Sequence, residues 1–419
     1  MKLSIGTLRP CTVPSPKCVS SSVHCSAVKP AAAAATLGQR WTEYQGARNW
    51  EGLLDPLDDN LRDEILRYGQ FVGATYNAFD FDPSSPSYAK CRFPKSSLFR
   101  RCGLPHTGYQ VTKNLHATSG ITMPRWAGKA PNWFSNQTSW IGYVAVCEDE
   151  DEIARLGRRD VVVAYRGTAT CLEWFENLRA TLTHLPGKTN VDIDEPEPMV
   201  AKGFLNLYTS GTKEIRSLRE EVREEIGRVL QSYGDEPLSL TITGHSLGAA
   251  LATLTAYDIT TNFRQPPLVT VISFGAPRVG NRGFRCHVEN CGSKVLRIVN
   301  SDDLVTKVPG FVIEDEDDDV SNKEKDTVNV AGLPSWLQRR VEDTLFQTQW
   351  VYADVGRELR VSSRDSPYLT GPTTNLATSH ELDTYLHLVN GFLSSECPFR
   401  KTAKKMLSRR SAEKAPVLR

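Results

Sequence analysis

The chain has 419 residues, 40% of them hydrophobic and 24% charged, and a formal net charge of +1. That balance suits a globular protein with a sizeable core, and it argues against whole-chain attraction to nucleic acid. No run approaches the roughly 18–20 apolar residues of a transmembrane segment, so any work at a membrane is expected from its surface.

Residues 1–40 contain Lys2, Arg9, Lys17, Lys29 and Arg40 but no acid; the first is Glu43. The segment is rich in Ser, Thr and Pro and has no continuous apolar core. This is the composition of an organelle transit peptide, and sparse arginine without an amphipathic pattern favours chloroplast over mitochondrion. Residues 41–139 read as an N-terminal helical and loop extension, 140–396 as the main core, and 397–419 as a basic tail. Within 41–79, Leu61, Ile65, Leu66, Tyr68, Phe71 and Val72 recur at helical spacing. A loop-like stretch rich in Ser, Pro, Lys and Arg follows, to about residue 110. The ten cysteines show neither CxxC nor zinc-ligand spacing and read as scattered thiols of a reduced compartment.

From residue 140 the pattern changes. Residues 140–148, 160–168, 238–246, 268–277 and 294–303 are short, β-branched apolar runs, each ending in a turn signal. Near-continuous apolar strands suit a sheet covered on both faces, hence mostly parallel. Helical patterns at 207–234 and 248–263 separate several of them, which reads as an α/β fold.

Gly244-His245-Ser246-Leu247-Gly248 lies between a strand pattern and a helix pattern. That is the context of a nucleophile elbow. A nucleophile at the tip of so tight a turn leaves no room for side chains two positions away, and glycine removes them. The N-terminus of the following helix favours developing negative charge, with the Leu247 N–H as one oxyanion donor. Serine needs a base, and in this topology the order is serine, acid, histidine. His380 and His387 lie far enough downstream; His380, at the start of the helical pattern 380–393, is preferred, and His387 reads as structural. His245 is read as packing against or bracing the elbow. The acid is Asp302 or Asp303, just after the last apolar run; its task is to hold the imidazole tautomer and stabilise the imidazolium. Gly167 and Thr168 follow an earlier strand and suit the second oxyanion donor. Beyond them, Leu172, Trp174 and Phe175 form a short amphipathic segment, read either as a lid or as an ordinary core helix.

The stretches "TITGHSLGAALATLTA", "YRGTATCLEWFENL", "SFGAPRVGN" and "IVNSDDLVTKVPG" resemble the class 3 lipases. Residues 41–396 more closely resemble the plant class I phospholipases A1 of chloroplasts. The resemblance implies an α/β-hydrolase fold, with a mostly parallel sheet flanked by helices, and hydrolysis of the sn-1 ester of phospholipids and galactolipids, with triacylglycerol in some members. Released fatty acid feeds jasmonate synthesis in that family. It further implies Ser246 as nucleophile, Asp303 as acid, His380 as base, and Thr168 and Leu247 at the oxyanion hole. Neither metal nor organic cofactor is expected. The partners are glycerolipids at a membrane surface, in the plastid stroma or peripheral on plastid membranes. The acidic run 314–326 reads as a solvated loop, and the basic tail as disordered or in contact with anionic lipid. The rival readings are a neutral-lipid lipase or general carboxylesterase and, in another class, a lipase-like protein that binds lipid without hydrolysing it.

Overall fold

The computed structural model describes residues 37–82, 84–118, 138–168, 181–185, 197–212, 215–309, 352–369 and 376–391. Its strands are β1 (Tyr109–Thr118), β2 (Thr138–Cys147), β3 (Arg159–Tyr165), β4 (Leu182–His184), β5 (Met199–Ala201), β6 (Leu238–His245), β7 (Leu268–Phe274), β8 (Lys294–Asn300) and β9 (Arg357–Val361). Seven of them form one sheet in the order β1-β2-β3-β6-β7-β8-β9, and β4 and β5 pair separately. From β3 to β9 the pairing is parallel; β1 and β2 are antiparallel additions at one edge. All five apolar runs are therefore strands. Every residue of β3 and β6 is buried, as strands covered on both faces require.

Alternate residues feed two cores. On β3, Val161, Val163 and Tyr165 face one and Val162 and Ala164 the other. The helix α1 (Asp59–Ala78) packs in the second core through Leu61, Ile65, Tyr68, Phe71 and Val72, the spacing expected from the sequence. Asp58 starts it by accepting from the Asn60 and Leu61 N–H groups. On the opposite face lie α2 (Leu218–Tyr233) and α3 (Leu247–Asn262). The pattern at 207–234 is broken where the Ser217–Glu220 capping box starts α2 afresh. Behind the last strand come the short α4 (Leu376–His380) and α5 (Leu382–Val389). His380 thus closes one helix and precedes another, instead of opening a single long one.

A buried ionic cluster ties α1 to the sheet. Glu64 accepts from Arg67 (2.7 and 3.0 Å) and from Arg158 (3.1 Å). Asp160 on β3 accepts from Arg67 at 3.2 Å and from the Tyr68 and Tyr109 hydroxyls at 3.0 and 2.8 Å. This cluster sits at the start of β3, and the functional residues gather at the other end of the strands. Leu172, Trp174, Phe175, the acidic run and the basic tail lie outside the described residues.

Candidate active site

At the C-terminal ends of the parallel strands four chain segments converge. Ser246 follows β6 directly and takes φ 57° and ψ −124°, a left-handed conformation unusual for a residue with a Cβ. Its N–H donates to the Phe274 carbonyl (2.9 Å), fixing the turn to β7. The two flanking glycines are required by space. A Cβ on Gly244 would collide with the carbonyl of Gly248, and one on Gly248 would lie 2.6 Å from the Tyr165 oxygen and 2.7 Å from that of Arg166. The strain is held by a packed frame, as expected where a side chain must be presented for chemistry. Leu247 is the first residue of α3, so its N–H belongs to the set that an α-helix leaves without intrahelical partners.

The two adjacent acids separate cleanly. Asp303 is fully buried. Its Oδ1 accepts from the Val305 N–H (2.9 Å); its Oδ2 accepts from the Tyr385 hydroxyl (2.6 Å) and lies 2.6 Å from His380 Nδ1. Asp302 turns outward, to Arg364 (2.8 Å) and the Ser362 hydroxyl (3.1 Å). The choice that adjacency left open is thus made by direction: only Asp303 meets the histidine. Burial and the neighbouring Asp303 charge hold the Tyr385 hydroxyl well above its ordinary pKa, so it stays a donor. With Nδ1 occupied by Asp303, Nε2 is the His380 nitrogen left for proton exchange. Asn300 fixes the backbone here, donating from Nδ2 to the Ser379 carbonyl (2.8 Å) and the Ser363 hydroxyl (2.7 Å). His387 bonds the Ser366 hydroxyl at 3.0 Å.

After β3, Gly167 packs against the elbow. A Cβ there would overlap the Tyr76 hydroxyl and sit 2.9 Å from the His245 oxygen and 3.1 Å from Ser246 Cβ. Thr168 follows, and its Oγ1 is buried with no hydrogen-bond partner among the described residues. Leaving such a group unpaired costs about 1–3 kcal/mol, a cost an incoming ligand atom relieves. Arg166 is buried without an ion pair among the described residues. Its three guanidinium nitrogens donate to Trp140 O (2.9 Å), Gly167 O (2.8 Å) and Ser139 Oγ (2.8 Å), and it stacks over Phe79. Burial lowers its pKa to about 10, which leaves it cationic at neutral pH. Sequence reasoning passed over Arg166, Tyr76 and Tyr385; each was an ordinary residue of a helix or strand end until the fold brought it here.

A serine at a strained turn between strand and helix, with an acid and a histidine following in that chain order at the same sheet edge, defines the α/β hydrolases. Comparison with known proteins narrows this. The family Lipase (class 3) matches residues 162–313. Phospholipase A(1) DAD1, chloroplastic, of Arabidopsis thaliana is 66% identical over 89% of this chain and 81% of its own length. Phospholipase A1-Igamma3, chloroplastic, of the same plant is 40% identical over 85% of this chain and 66% of its own. Galactolipase DONGLE, chloroplastic, also from Arabidopsis, is 39% identical over 84% and 70%. The chain belongs to the class 3 lipases and, within them, to the plant phospholipases A1.

Proposed function

We propose that the protein hydrolyses the sn-1 acyl ester of membrane glycerolipids in the chloroplast, with Ser246 as nucleophile, His380 as general base and acid, and Asp303 as the group that orients and stabilises the imidazolium. The observation that carries the reading is the buried 2.6 Å contact of His380 with Asp303 beside the serine elbow. In the scheme, His380 Nε2 takes the Ser246 proton as Oγ attacks the ester carbonyl. The oxyanion is met by the N–H groups of Leu247 and Thr168 and by the Thr168 hydroxyl, which has no partner among the described residues. The imidazolium returns its proton to the departing lysolipid oxygen, leaving an acyl-serine. Water, deprotonated by the same nitrogen, then releases the fatty acid and restores Ser246.

The substrate class rests on relatives named as phospholipases A1 and as a galactolipase, and the plastid location on their being named chloroplastic. Among the described residues no helix is long and apolar enough to cross a bilayer. An alkyl fluorophosphonate tests the chemistry. Mass spectrometry of the labelled chain is expected to find one phosphonyl adduct, on Ser246, and the labelling rate is expected to collapse in His380→Ala. Labelling elsewhere, or at an unchanged rate in that variant, overturns the assignment.

A further inference from the structure

His245 lies next to the nucleophile, yet its imidazole takes no part in the scheme above. It is buried, and both ring nitrogens are engaged. Nε2 lies 2.6 Å from the backbone carbonyl of His380. A carbonyl only accepts, so Nε2 must carry the proton. Burial and the neighbouring His380 hold His245 well below its ordinary pKa, so the ring is neutral and Nδ1 is bare. Nδ1 lies 2.7 Å from the Tyr76 hydroxyl, which must therefore donate to it. The same hydroxyl oxygen accepts from the Gly167 N–H at 2.9 Å. Each donor and acceptor in this chain has one consistent assignment.

We infer that Tyr76 and His245 form a positioning relay, in which one hydroxyl from the last turn of α1 fixes the oxyanion turn at Gly167 and, through the His245 tautomer, the backbone of His380. This rests on the hydrolase reading above and extends it to two residues that make and break no bond in that scheme. Four segments must arrive in register for acyl transfer: the oxyanion turn, the elbow, the acid turn and the histidine segment. Asp303 and Tyr385 join the last two. The relay joins the first, second and last. The His245 and His380 rings also pack at 4.7 Å between centroids. A neutral His245 is required there, because the imidazolium formed on His380 during turnover would otherwise face a second positive charge. A packing role alone would be met by phenylalanine at position 76; the hydrogen-bond assignment says that it is not.

The test uses full-length protein and a soluble ester, p-nitrophenyl butyrate, so that interface binding does not enter. Wild type, Ser246→Ala, Tyr76→Phe, His245→Gln, His245→Leu and the Tyr76→Phe/His245→Leu double variant are compared for kcat, KM and thermal unfolding. Misplacement of reacting groups on the ångström scale costs on the order of 100-fold, so Tyr76→Phe is expected to lose about 10- to 100-fold in kcat. Its KM is expected to stay within about threefold, because ground-state binding is untouched. His245→Gln retains an N–H for the His380 carbonyl and is expected to lose less than His245→Leu. The double variant is expected to lose less than the product of the two single effects, because both substitutions break the shared Tyr76–His245 bond. Wild-type kcat in a folded Tyr76→Phe, or single effects that multiply in the double variant, overturns the relay. If His245→Leu does not fold, the same cycle is run with His245→Gln. A wild type no faster than Ser246→Ala indicts the hydrolase reading instead, so the two failures are distinguishable.

Discussion

Glu64→Gln should destabilise the protein by about 3–5 kcal/mol at pH 7, the cost of removing one partner from a buried ion pair. Glu64 is nearly inaccessible and Arg158 entirely so, with Arg67 largely covered. Two guanidinium groups there are balanced by two carboxylates, Glu64 and Asp160. A neutral amide at position 64 leaves a cation without compensation. The pKa provides a second route to the magnitude. Burial alone pushes the Glu64 carboxyl up, but Arg67 and Arg158 outweigh it and bring it down to about 2 from an ordinary 4.5. At about 1.36 kcal/mol per unit, that depression is worth about 3 kcal/mol. Because the folded pKa is depressed, the contribution is complete above about pH 4.5 and is lost as the pH falls towards 2. Urea denaturation followed by tryptophan fluorescence, at pH 7, 4 and 3, gives the gap between wild type and variant. The linkage relation predicts that it shrinks to about half or less of its pH 7 value at pH 3. A gap below about 1 kcal/mol at pH 7, or one that does not change with pH, would refute the charge-balance reasoning. Since α1 also carries Tyr76, activity should decline with the fraction folded and not before it.

Asp303→Asn is expected to lower kcat by about 10⁴, since the amide no longer favours the required imidazole tautomer. Asp302→Asn, which severs only an outward pair with Arg364, should stay within about fivefold of wild type; equal losses in steady-state assays would contradict the division of labour between them. Gly244→Ala drives a methyl group into the Gly248 backbone and should cost about 1–3 kcal/mol with a loss of at least about 100-fold in kcat; near-normal turnover in a folded variant would show that the elbow yields more easily than its geometry implies. His245 is neutral when folded and titrates when unfolded. The unfolded chain therefore binds the extra proton, and stability falls as the pH drops below about 6.5, by up to about 1.36 kcal/mol per pH unit from this group. Denaturation curves for His245→Gln between pH 7 and 5 should be correspondingly flatter, and an unchanged slope would mean that His245 is already charged in the fold.

The five apolar strands and the elbow were legible because they follow local rules. Strands such as β6, covered on both faces, read as unbroken apolar runs, and the turn at Ser246 needs glycine on both sides. β1 was missed because an edge strand keeps one side polar: Gln110, Thr112, Lys113 and Asn114 dilute the period-2 signal of Val111, Leu115 and Ala117. β9 is five residues long with one buried position, too little pattern to distinguish from a loop. In the site, Asp302 and Asp303 were equivalent by composition, and their opposite directions come from Arg364 and His380, more than 60 residues downstream. Tyr76 was invisible for the same reason. Its partner His245 lies 169 residues away, and no local spacing encodes a bond of that span.

The central claim is that Ser246 directs hydrolysis at the sn-1 ester. It is tested most directly by incubating full-length wild type and Ser246→Ala with vesicles of phosphatidylcholine and monogalactosyldiacylglycerol whose sn-1 and sn-2 chains differ in length, and identifying the released acids by mass spectrometry. Release of the sn-1 acid by wild type, with none above background from the variant, is the predicted result. Release of the sn-2 acid instead, or equal release by both proteins, would contradict it.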